Sequence, residues 1–164
     1  MYPLCFVENF VFYIQLNIVQ WYISRINYKK EQFPVISKAY GTNEQYYPLF
    51  LSENDIDVLI GSETHLTKDI LNSEILPSNY IATRKDRDDG FGGIAIIYKN
   101  NIMVEDIHFE NCELVAIKIE THKKHKKPIV VCACYSPPNC DNSINVEIIN
   151  NISRLCKKYK NNPI

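Results

Sequence analysis

Glu63 and His65 lie in the stretch GSETHL, which directly follows the apolar run at residues 56–60. Reactive side chains collect where strands of an α/β sheet end, because the packed sheet is rigid and the adjoining loop is open to ligand. A carboxylate at such a position can hold a hard divalent cation such as Mg²⁺, which prefers oxygen ligands and keeps several waters. The alternative is structural: Glu63 pairs with an arginine such as Arg84 or caps the backbone after the strand, and His65 is half exposed.

A second candidate, Tyr135, closes an apolar strand in the stretch CACYSPPN. Pro137 and Pro138 stop the strand ladder, because proline lacks the amide donor. The phenol of Tyr135 can donate a hydrogen bond to a phosphate oxygen or transfer a proton. In the alternative interpretation it packs its ring in the core and ties off the turn.

The stretch RKDRDDGFGGIAIIYKN, at residues 84–100, joins cations to a glycine-rich turn. Arg84, Lys85 and Arg87 could contact a nucleic-acid backbone, although three aspartates beside them nearly cancel their charge. The glycines predict a tight turn before a buried strand. Because no helix follows them, they do not predict a phosphate-binding loop of the P-loop or dinucleotide kind.

The formal net charge of −1 gives the chain no global field that would attract a polyanion, so DNA would have to be bound by local basic groups. One such group consists of Lys123, Lys124, Lys126 and Lys127. It lies between two apolar alternating segments. It is therefore either a solvated hairpin turn or a loop that contacts phosphates.

The composition indicates one folded domain, since 164 residues with 46% hydrophobic and 23% charged residues are ordinary for a globular protein. Six cysteines without a C-x-x-C pair predict reduced structural thiols and an intracellular protein, nuclear or cytoplasmic. The apolar N-terminal stretch is broken by polar residues, which disfavours a signal peptide or a membrane span.

The elements that must position these residues follow from the apolar patterns. Strands are predicted at 14–23, 57–63, 78–87, 93–100, 112–121 and 127–138, and helices ending near residue 54 and over 145–162. The run 57–63 is apolar on both faces, which is typical of a central strand. One face of the last helix should pack on a sheet through Val146, Ile149, Ile152, Leu155, Cys156 and Tyr159. The adjacent strands favour an α/β protein with a mixed sheet or two stacked sheets, not a strictly alternating doubly wound fold.

Taken in order, DVLIGSETHLT, RKDRDDGFGGIAIIYKN and VVCACYSPPN resemble successive motifs of the endonuclease domain of LINE-type (non-LTR) retrotransposons. That domain belongs to the endonuclease/exonuclease/phosphatase superfamily, together with apurinic-site repair endonucleases and DNase I. The resemblance runs from residue 55 to the C-terminus, and residues 14–27 resemble the family's first strand more loosely.

The resemblance implies a DNase I-like, four-layered α/β sandwich and a DNA endonuclease that nicks its target site with Mg²⁺ or Mn²⁺. It implies Glu63 as the catalytic, metal-binding glutamate and Tyr135 as the tyrosine that contacts the scissile phosphate. The implied partners are DNA and the rest of a retroelement polyprotein, with no small organic cofactor and no membrane. The candidate nucleic-acid contacts are His65, Arg84, Lys123, Lys124, Lys126 and Lys127.

The chain also departs from the family pattern, because Trp21 is followed by Tyr22 where the family has asparagine. The family's later Gly-Asp-Phe-Asn type and Asp-His motifs do not follow. We therefore expect residues 14–164 to form the N-terminal part of the sandwich, truncated at the C-terminus and impaired in activity. Residues 1–13 form an N-terminal extension whose status the sequence leaves open. Two alternatives stay open: a non-catalytic nucleic-acid- or protein-binding remnant, and a superfamily relative that acts on a small phosphoester.

Overall fold

The computed structural model of the chain describes residues 5–7, 10–16, 22–24, 35–37, 51–53, 55–110, 112–120, 128–136 and 140–160. In chain order the strands are β1 (Cys5–Val7), β2 (Phe10–Leu16), β3 (Tyr22–Ser24), β4 (Val35–Ser37), β5 (Val58–Ser62), β6 (Tyr80–Lys85), β7 (Ile94–Lys99), β8 (Val104–Ile107), β9 (Leu114–Ile119) and β10 (Ile129–Ser136). The helices are α1 (Asn72–Ile75) and α2 (Asn142–Lys160), and residues 51–53 are also helical. This mixture of helices and strands agrees with the predicted α/β class.

The chain divides into two units that interleave along the sequence. One unit contains Met1–Ile18 and Met103–Ile164, and the other contains Val19–Ile102. Glu63 therefore belongs to the inserted unit, whereas Tyr135 belongs to the unit built from both ends of the chain.

A five-stranded sheet forms the unit built from both ends, in the order β1-β2-β10-β9-β8. Strand β10 is parallel to β2 and antiparallel to β9, so the sheet is mixed, as predicted. Residues 130–136 of β10 are all buried, because the strand lies in the middle of the sheet and alternating valines, cysteines and alanine fill both faces.

Helix α2 packs against this sheet through a stripe that differs in part from the predicted one. Leu155 and Tyr159 are buried in the sheet-facing core, as expected. Val146 and Ile149, however, expose 56% and 61% of their surfaces, so their predicted packing is wrong. The stripe runs through Ile144, Ile148, Ile152, Leu155 and Tyr159, at spacings of three and four residues. The carboxylate of Asp141 accepts the Ser143 amide at 2.9 Å, so the helix begins three residues before the predicted start.

The inserted unit contains a three-stranded antiparallel sheet in the order β5-β7-β6. Strand β5 is buried along its whole length, as its apolar pattern predicts. The expectation that it is a central strand is wrong for the described strands, since β7 is the one that pairs on both sides. The Tyr80 hydroxyl donates to the Ile56 carbonyl at 2.8 Å and ties β6 to the segment that enters β5.

The N-terminal part of the chain also differs from the prediction of one strand over residues 14–23. Strand β2 begins at Phe10 and ends at Leu16, and Tyr22 begins β3, which pairs with β4. Strand β1 pairs with β2, so β1 and the part of β2 up to Tyr13 lie within residues 1–13, which were predicted to be an extension. Trp21 lies outside the described residues.

The five described cysteines outside strand β1 are reduced and form no disulfide, as predicted: Cys112, Cys132, Cys134, Cys140 and Cys156. Burial raises the pKa of the Cys132 thiol well above its ordinary value, and it raises the pKa of Cys134 to about 12. None of the described helices is long and apolar enough to cross a membrane.

Candidate functional site

Glu63 occupies the first position after β5, in a turn held against the residues that precede β7. The β5–β7 register pairs Ser62 with Ile94. Beyond these residues, the Thr64 amide donates to the Gly93 carbonyl at 3.4 Å and the His65 amide donates to the Gly92 carbonyl at 2.8 Å. The strand pairing therefore continues past the end of β5 and fixes the backbone on the C-terminal side of Glu63.

The backbone at this turn adopts a conformation that side-chain-bearing residues rarely take. Glu63 has a φ of 55° and His65 a φ of 53°, both in the left-handed region. For a residue other than glycine this region costs roughly 1–2 kcal/mol. Such conformations persist only where the surrounding structure enforces them, and they cluster at functional sites. Two of them, separated by a single residue, make this turn the most unusual backbone segment described.

Gly93 explains why the opposing segment can approach so closely. Its φ is +85°, and a Cβ atom added to it would lie 2.5 Å from Thr64 Oγ1 and 3.5 Å from the Lys85 carbonyl oxygen. A glycine is thus required both by the backbone conformation and by the close contact with Thr64. The sequence predicted a tight turn here but gave no indication of this contact.

The side chains of Glu63 and His65 face each other within the turn. Glu63 Oε2 lies 3.7 Å from His65 Nε2, and only 11% of the Glu63 side chain is exposed. The other ring nitrogen, Nδ1, lies 3.3 Å from the Gly90 carbonyl oxygen, so both nitrogens of His65 face oxygen atoms. Among the described residues His65 is the one ionisable side chain that pairs with Glu63. The predicted alternative of a Glu63–Arg84 pair is not observed.

Arg84, on strand β6, instead pairs with Asp86, which follows that strand. Its Nε atom lies 3.2 Å from Asp86 Oδ2, and these side chains are only 13% and 5% exposed. Arg84 Nη2 also donates to the carbonyl of Ile70. Burial raises the pKa of the Asp86 carboxyl, and the attraction of Arg84 opposes that shift without cancelling it. Arg84 therefore anchors the loop after Glu63 through internal partners.

Two exposed ion pairs involve the loop between β6 and β7, residues 86–93. Lys68 Nζ lies 2.7 Å from Asp88 Oδ1, and Arg87 Nη2 lies 2.9 Å from Asp89 Oδ2. The other oxygen of Asp89 accepts the Phe91 amide at 3.1 Å, which holds the pKa of that carboxyl below its ordinary value. The aspartates that the sequence sets against the basic residues are thus paired with cations in the structure.

Phe91 is a residue of this site that the sequence analysis did not single out. Its ring meets the His65 ring edge to face, with centroids 6.4 Å apart and an interplanar angle of 89°. It is 70% exposed, whereas the flanking Gly92 is buried. A lone aromatic residue between glycines in a polar turn was the signal that could have pointed to it.

Tyr135 lies on β10, in the other unit. It is 5% exposed, its amide donates to the Glu113 carbonyl at 3.0 Å, and it pairs with Gln15 of β2. The ring is therefore buried within a strand that continues one residue further, to Ser136. The four lysines of the predicted basic group, at positions 123, 124, 126 and 127, lie outside the described residues, as do Pro137 and Pro138.

The Glu63 carboxylate can be compared with what different metal ions require of their ligands. Within the described part of the chain no three His, Cys, Asp or Glu side chains come together as a metal-binding group. A structural or catalytic zinc site uses three or four such ligands. Mg²⁺ is commonly held by one or two carboxylates, with water and phosphate oxygens completing its shell, and the Glu63 carboxylate fits that requirement.

No protein-family model matches this chain, and neither does a curated protein or a solved structure.

Proposed function

We propose that this protein is a metal-dependent DNA endonuclease of the LINE-type retrotransposon kind, which hydrolyses a phosphodiester bond at a DNA target site. The proposal includes the DNase I-like, four-layered sandwich and a role beside other parts of a retroelement polyprotein. The observation that carries it is the Glu63 carboxylate, which is nearly buried at the end of β5 on a left-handed backbone and has no lysine or arginine partner among the described residues.

The electrostatics of Glu63 support a cation-binding role. A largely buried carboxylate is costly unless a positive charge or hydrogen bonds compensate it. Arg84 was a possible partner, but its guanidinium is bonded to Asp86 and to a backbone carbonyl. This arrangement leaves the Glu63 carboxylate available to Mg²⁺ or Mn²⁺, which would stabilise negative charge on a phosphate as a Lewis acid.

The other residues of the turn would position Glu63. His65 lies against the carboxylate through Nε2 and against the Gly90 carbonyl through Nδ1. The imidazole of His65 restrains the Glu63 carboxylate and is itself held by the Gly90 carbonyl. A preorganised site requires such support around its metal ligand. In this proposal His65 also contacts the DNA backbone, whereas Arg84 acts from inside the loop.

The resemblance also implies Tyr135 and the four lysines at 123, 124, 126 and 127 as phosphate contacts. The lysines would bind the DNA backbone at its phosphates. The Tyr135 ring is buried within β10, so its hydroxyl would have to become exposed before it could donate a hydrogen bond to a phosphate. Phosphate contacts by lysines weaken as salt concentration rises, because they release counterions from DNA.

The test is a nicking assay on supercoiled plasmid with the full chain, in Mg²⁺ and in EDTA. Glu63→Ala is compared with Glu53→Ala, which removes an exposed carboxylate from the same unit. We expect metal-dependent nicking by the parent chain and by Glu53→Ala. Loss of the catalytic metal ligand should lower the rate of Glu63→Ala by about 10²-fold or more, the scale typical of removing one group that stabilises transition-state charge.

Equal nicking by Glu63→Ala and the parent chain would refute Glu63 as the metal ligand. Salt-sensitive DNA binding by a folded parent chain that does not nick in Mg²⁺ or Mn²⁺ would refute the endonuclease. It would instead favour the non-catalytic nucleic-acid-binding alternative.

A further inference from the structure

Phe91 is the most exposed of the large apolar residues in the described part of the chain. It exposes 70% of its surface, compared with 61% for Leu71, Met103 and Ile149. Single exposed apolar residues are common on protein surfaces and need no special explanation. The case for Phe91 depends on how the residue is held and on what lies beside it.

The loop between β6 and β7, residues 86–93, presents the Phe91 ring from a fixed backbone. The Phe91 amide donates to Asp89 Oδ1 at 3.1 Å, and the Gly90 amide donates to the Arg87 carbonyl at 3.1 Å. On the C-terminal side, the Gly92 carbonyl accepts the His65 amide at 2.8 Å. These bonds fix the backbone on both sides of Phe91. The ring therefore projects from an ordered turn and does not fold back onto the core.

The position of the ring relates it directly to the candidate site. His65 contacts both residues: its Nε2 lies 3.7 Å from Glu63 Oε2, and its ring meets the Phe91 ring at 89°. An edge-to-face contact occupies only part of an aromatic surface. The rest of the Phe91 ring is available to a flat partner that approaches a phosphate bound near Glu63.

The charges around Phe91 permit a polyanion to approach. The two aspartates that precede it along the turn are each paired with a cation, Asp88 with Lys68 and Asp89 with Arg87. Paired carboxylates repel a phosphate backbone less than free ones. The turn therefore combines an exposed aromatic ring with a nearly neutral surface, and this combination suits a nucleobase stacked on the ring.

We propose that Phe91 stacks on an unpaired base of the DNA substrate, so that the site selects DNA with a locally unpaired base over fully paired duplex. This inference rests on the proposed endonuclease function and specifies its substrate class. Phenylalanine has no hydrogen-bonding group, so stacking on it is tolerant of base identity. The selection would therefore be for an accessible base face and not for a particular sequence.

The test measures binding of the full chain in EDTA, where cleavage does not interfere. Two fluorescent duplex probes are compared, one with a single unpaired 2-aminopurine and one in which the same base is paired. The variants are Phe91→Ala and Phe91→Trp, and Ile81→Ala serves as the control for loss of an exposed apolar side chain in the same unit. We expect the parent chain to bind the unpaired probe more tightly and to quench its 2-aminopurine fluorescence.

Phe91→Ala should bind the unpaired probe about 10- to 100-fold more weakly, the loss expected for one base stacked on an aromatic ring. It should bind the paired probe as the parent does. Phe91→Trp and Ile81→Ala should keep the preference. Unchanged affinity and quenching in Phe91→Ala, or absence of a preference in the parent chain, would overturn the stacking proposal.

The two proposals fail separately. Glu63-dependent nicking together with unchanged binding by Phe91→Ala would refute stacking and leave the endonuclease intact. Loss of base discrimination in Phe91→Ala, in a chain that never nicks, would support stacking and refute the endonuclease.

Discussion

Replacing Gly93 with alanine tests whether its close contact with Thr64 holds the turn that carries Glu63. The new Cβ atom would lie 2.5 Å from Thr64 Oγ1, a separation that real Cβ atoms do not adopt, so one segment must move. The left-handed φ of +85° costs an alanine roughly 1–2 kcal/mol. Relieving the overlap adds about 1–3 kcal/mol, as in other overpacked sites. We expect Gly93→Ala to lower the free energy of unfolding by about 2–5 kcal/mol.

Gly90→Ala is the matched control, because it shares the backbone cost without the overlap. Its φ is +69°, and an added Cβ atom would lie 3.6 Å from Thr67 Cγ2, an ordinary van der Waals distance. The expected destabilisation is therefore the backbone part alone, about 1–2 kcal/mol. The difference between the two variants isolates the contact with Thr64.

A double-mutant cycle with Thr64→Ala provides a further check. Thr64 Oγ1 is buried without a hydrogen-bond partner among the described residues, so its removal should cost little by itself. In the double variant the overlap is gone, and about 1–3 kcal/mol of the Gly93→Ala cost should be recovered.

The assays are urea unfolding and native-state hydrogen exchange of the peptide that contains Thr64 and His65. The Thr64 amide donates to the Gly93 carbonyl and the His65 amide to the Gly92 carbonyl, so exchange there should accelerate in Gly93→Ala more than in Gly90→Ala. Equal destabilisation by the two variants, or no recovery in the double variant, would refute the role assigned to the contact.

Three other predictions concern the core, the thiols and the buried ion pair. Leu155→Ala, in the core under helix α2, should lower the free energy of unfolding by about 2–5 kcal/mol. Ile149→Ala, at an exposed position of the same helix, should change it by less than about 0.5 kcal/mol. Urea unfolding measures both, and similar midpoints for the two variants would contradict the observed stripe. Iodoacetamide should label the half-buried Cys140 in the native chain well before Cys132, whose thiol is buried and whose pKa is raised. Peptide mass spectrometry measures the order of labelling, and earlier labelling of Cys132 would contradict this prediction. Because burial raises the pKa of Asp86 above 3.8 in the folded chain, its stabilising contribution is full below pH 3.8 and is lost as the pH rises through the raised pKa. The free energy of unfolding of Asp86→Asn, measured over that window, should lack this decline, and an unchanged pH slope would count against the assignment.

The sequence was informative wherever a local pattern decides the structure. Alternating or continuous apolar residues located β5, β6, β7, β9 and β10 to within a few residues. Strand β8 was missed because its four residues, VEDI, are only partly buried or exposed and carry a weak apolar signal. The pattern of helix α2 contained two apolar stripes, and only the packing against β10 decides that Ile148 is buried and Ile149 is not.

The candidate site was predictable in position but not in geometry. The apolar run before Glu63 and His65 placed both residues after a buried strand, where either a metal site or a structural pairing was expected. The left-handed backbone of both residues depends on the β5–β7 register and on Gly93, which are contacts between distant parts of the chain. From the sequence, Arg84 was expected either to contact nucleic acid or to pair with Glu63. The loop that contains Ile70 supplies the carbonyl that makes it a buried anchor instead.

The parallel pairing of β2 with β10 has a consequence for how the chain folds during synthesis. Tyr13 is paired with Ala133, so nearly the whole of the intervening chain must leave the ribosome before this ladder can close. The segment Val19–Ile102 is complete long before then and can acquire its own contacts first. Until β10 emerges, the nascent β2 can have β1 beside it but not its later partner, and an unpaired edge of this kind invites association with other chains. Such non-local pairing also slows folding, because the entropy of closing a long loop is lost before the contacts form. Translation speed and chaperone supply should therefore affect the soluble yield of this protein.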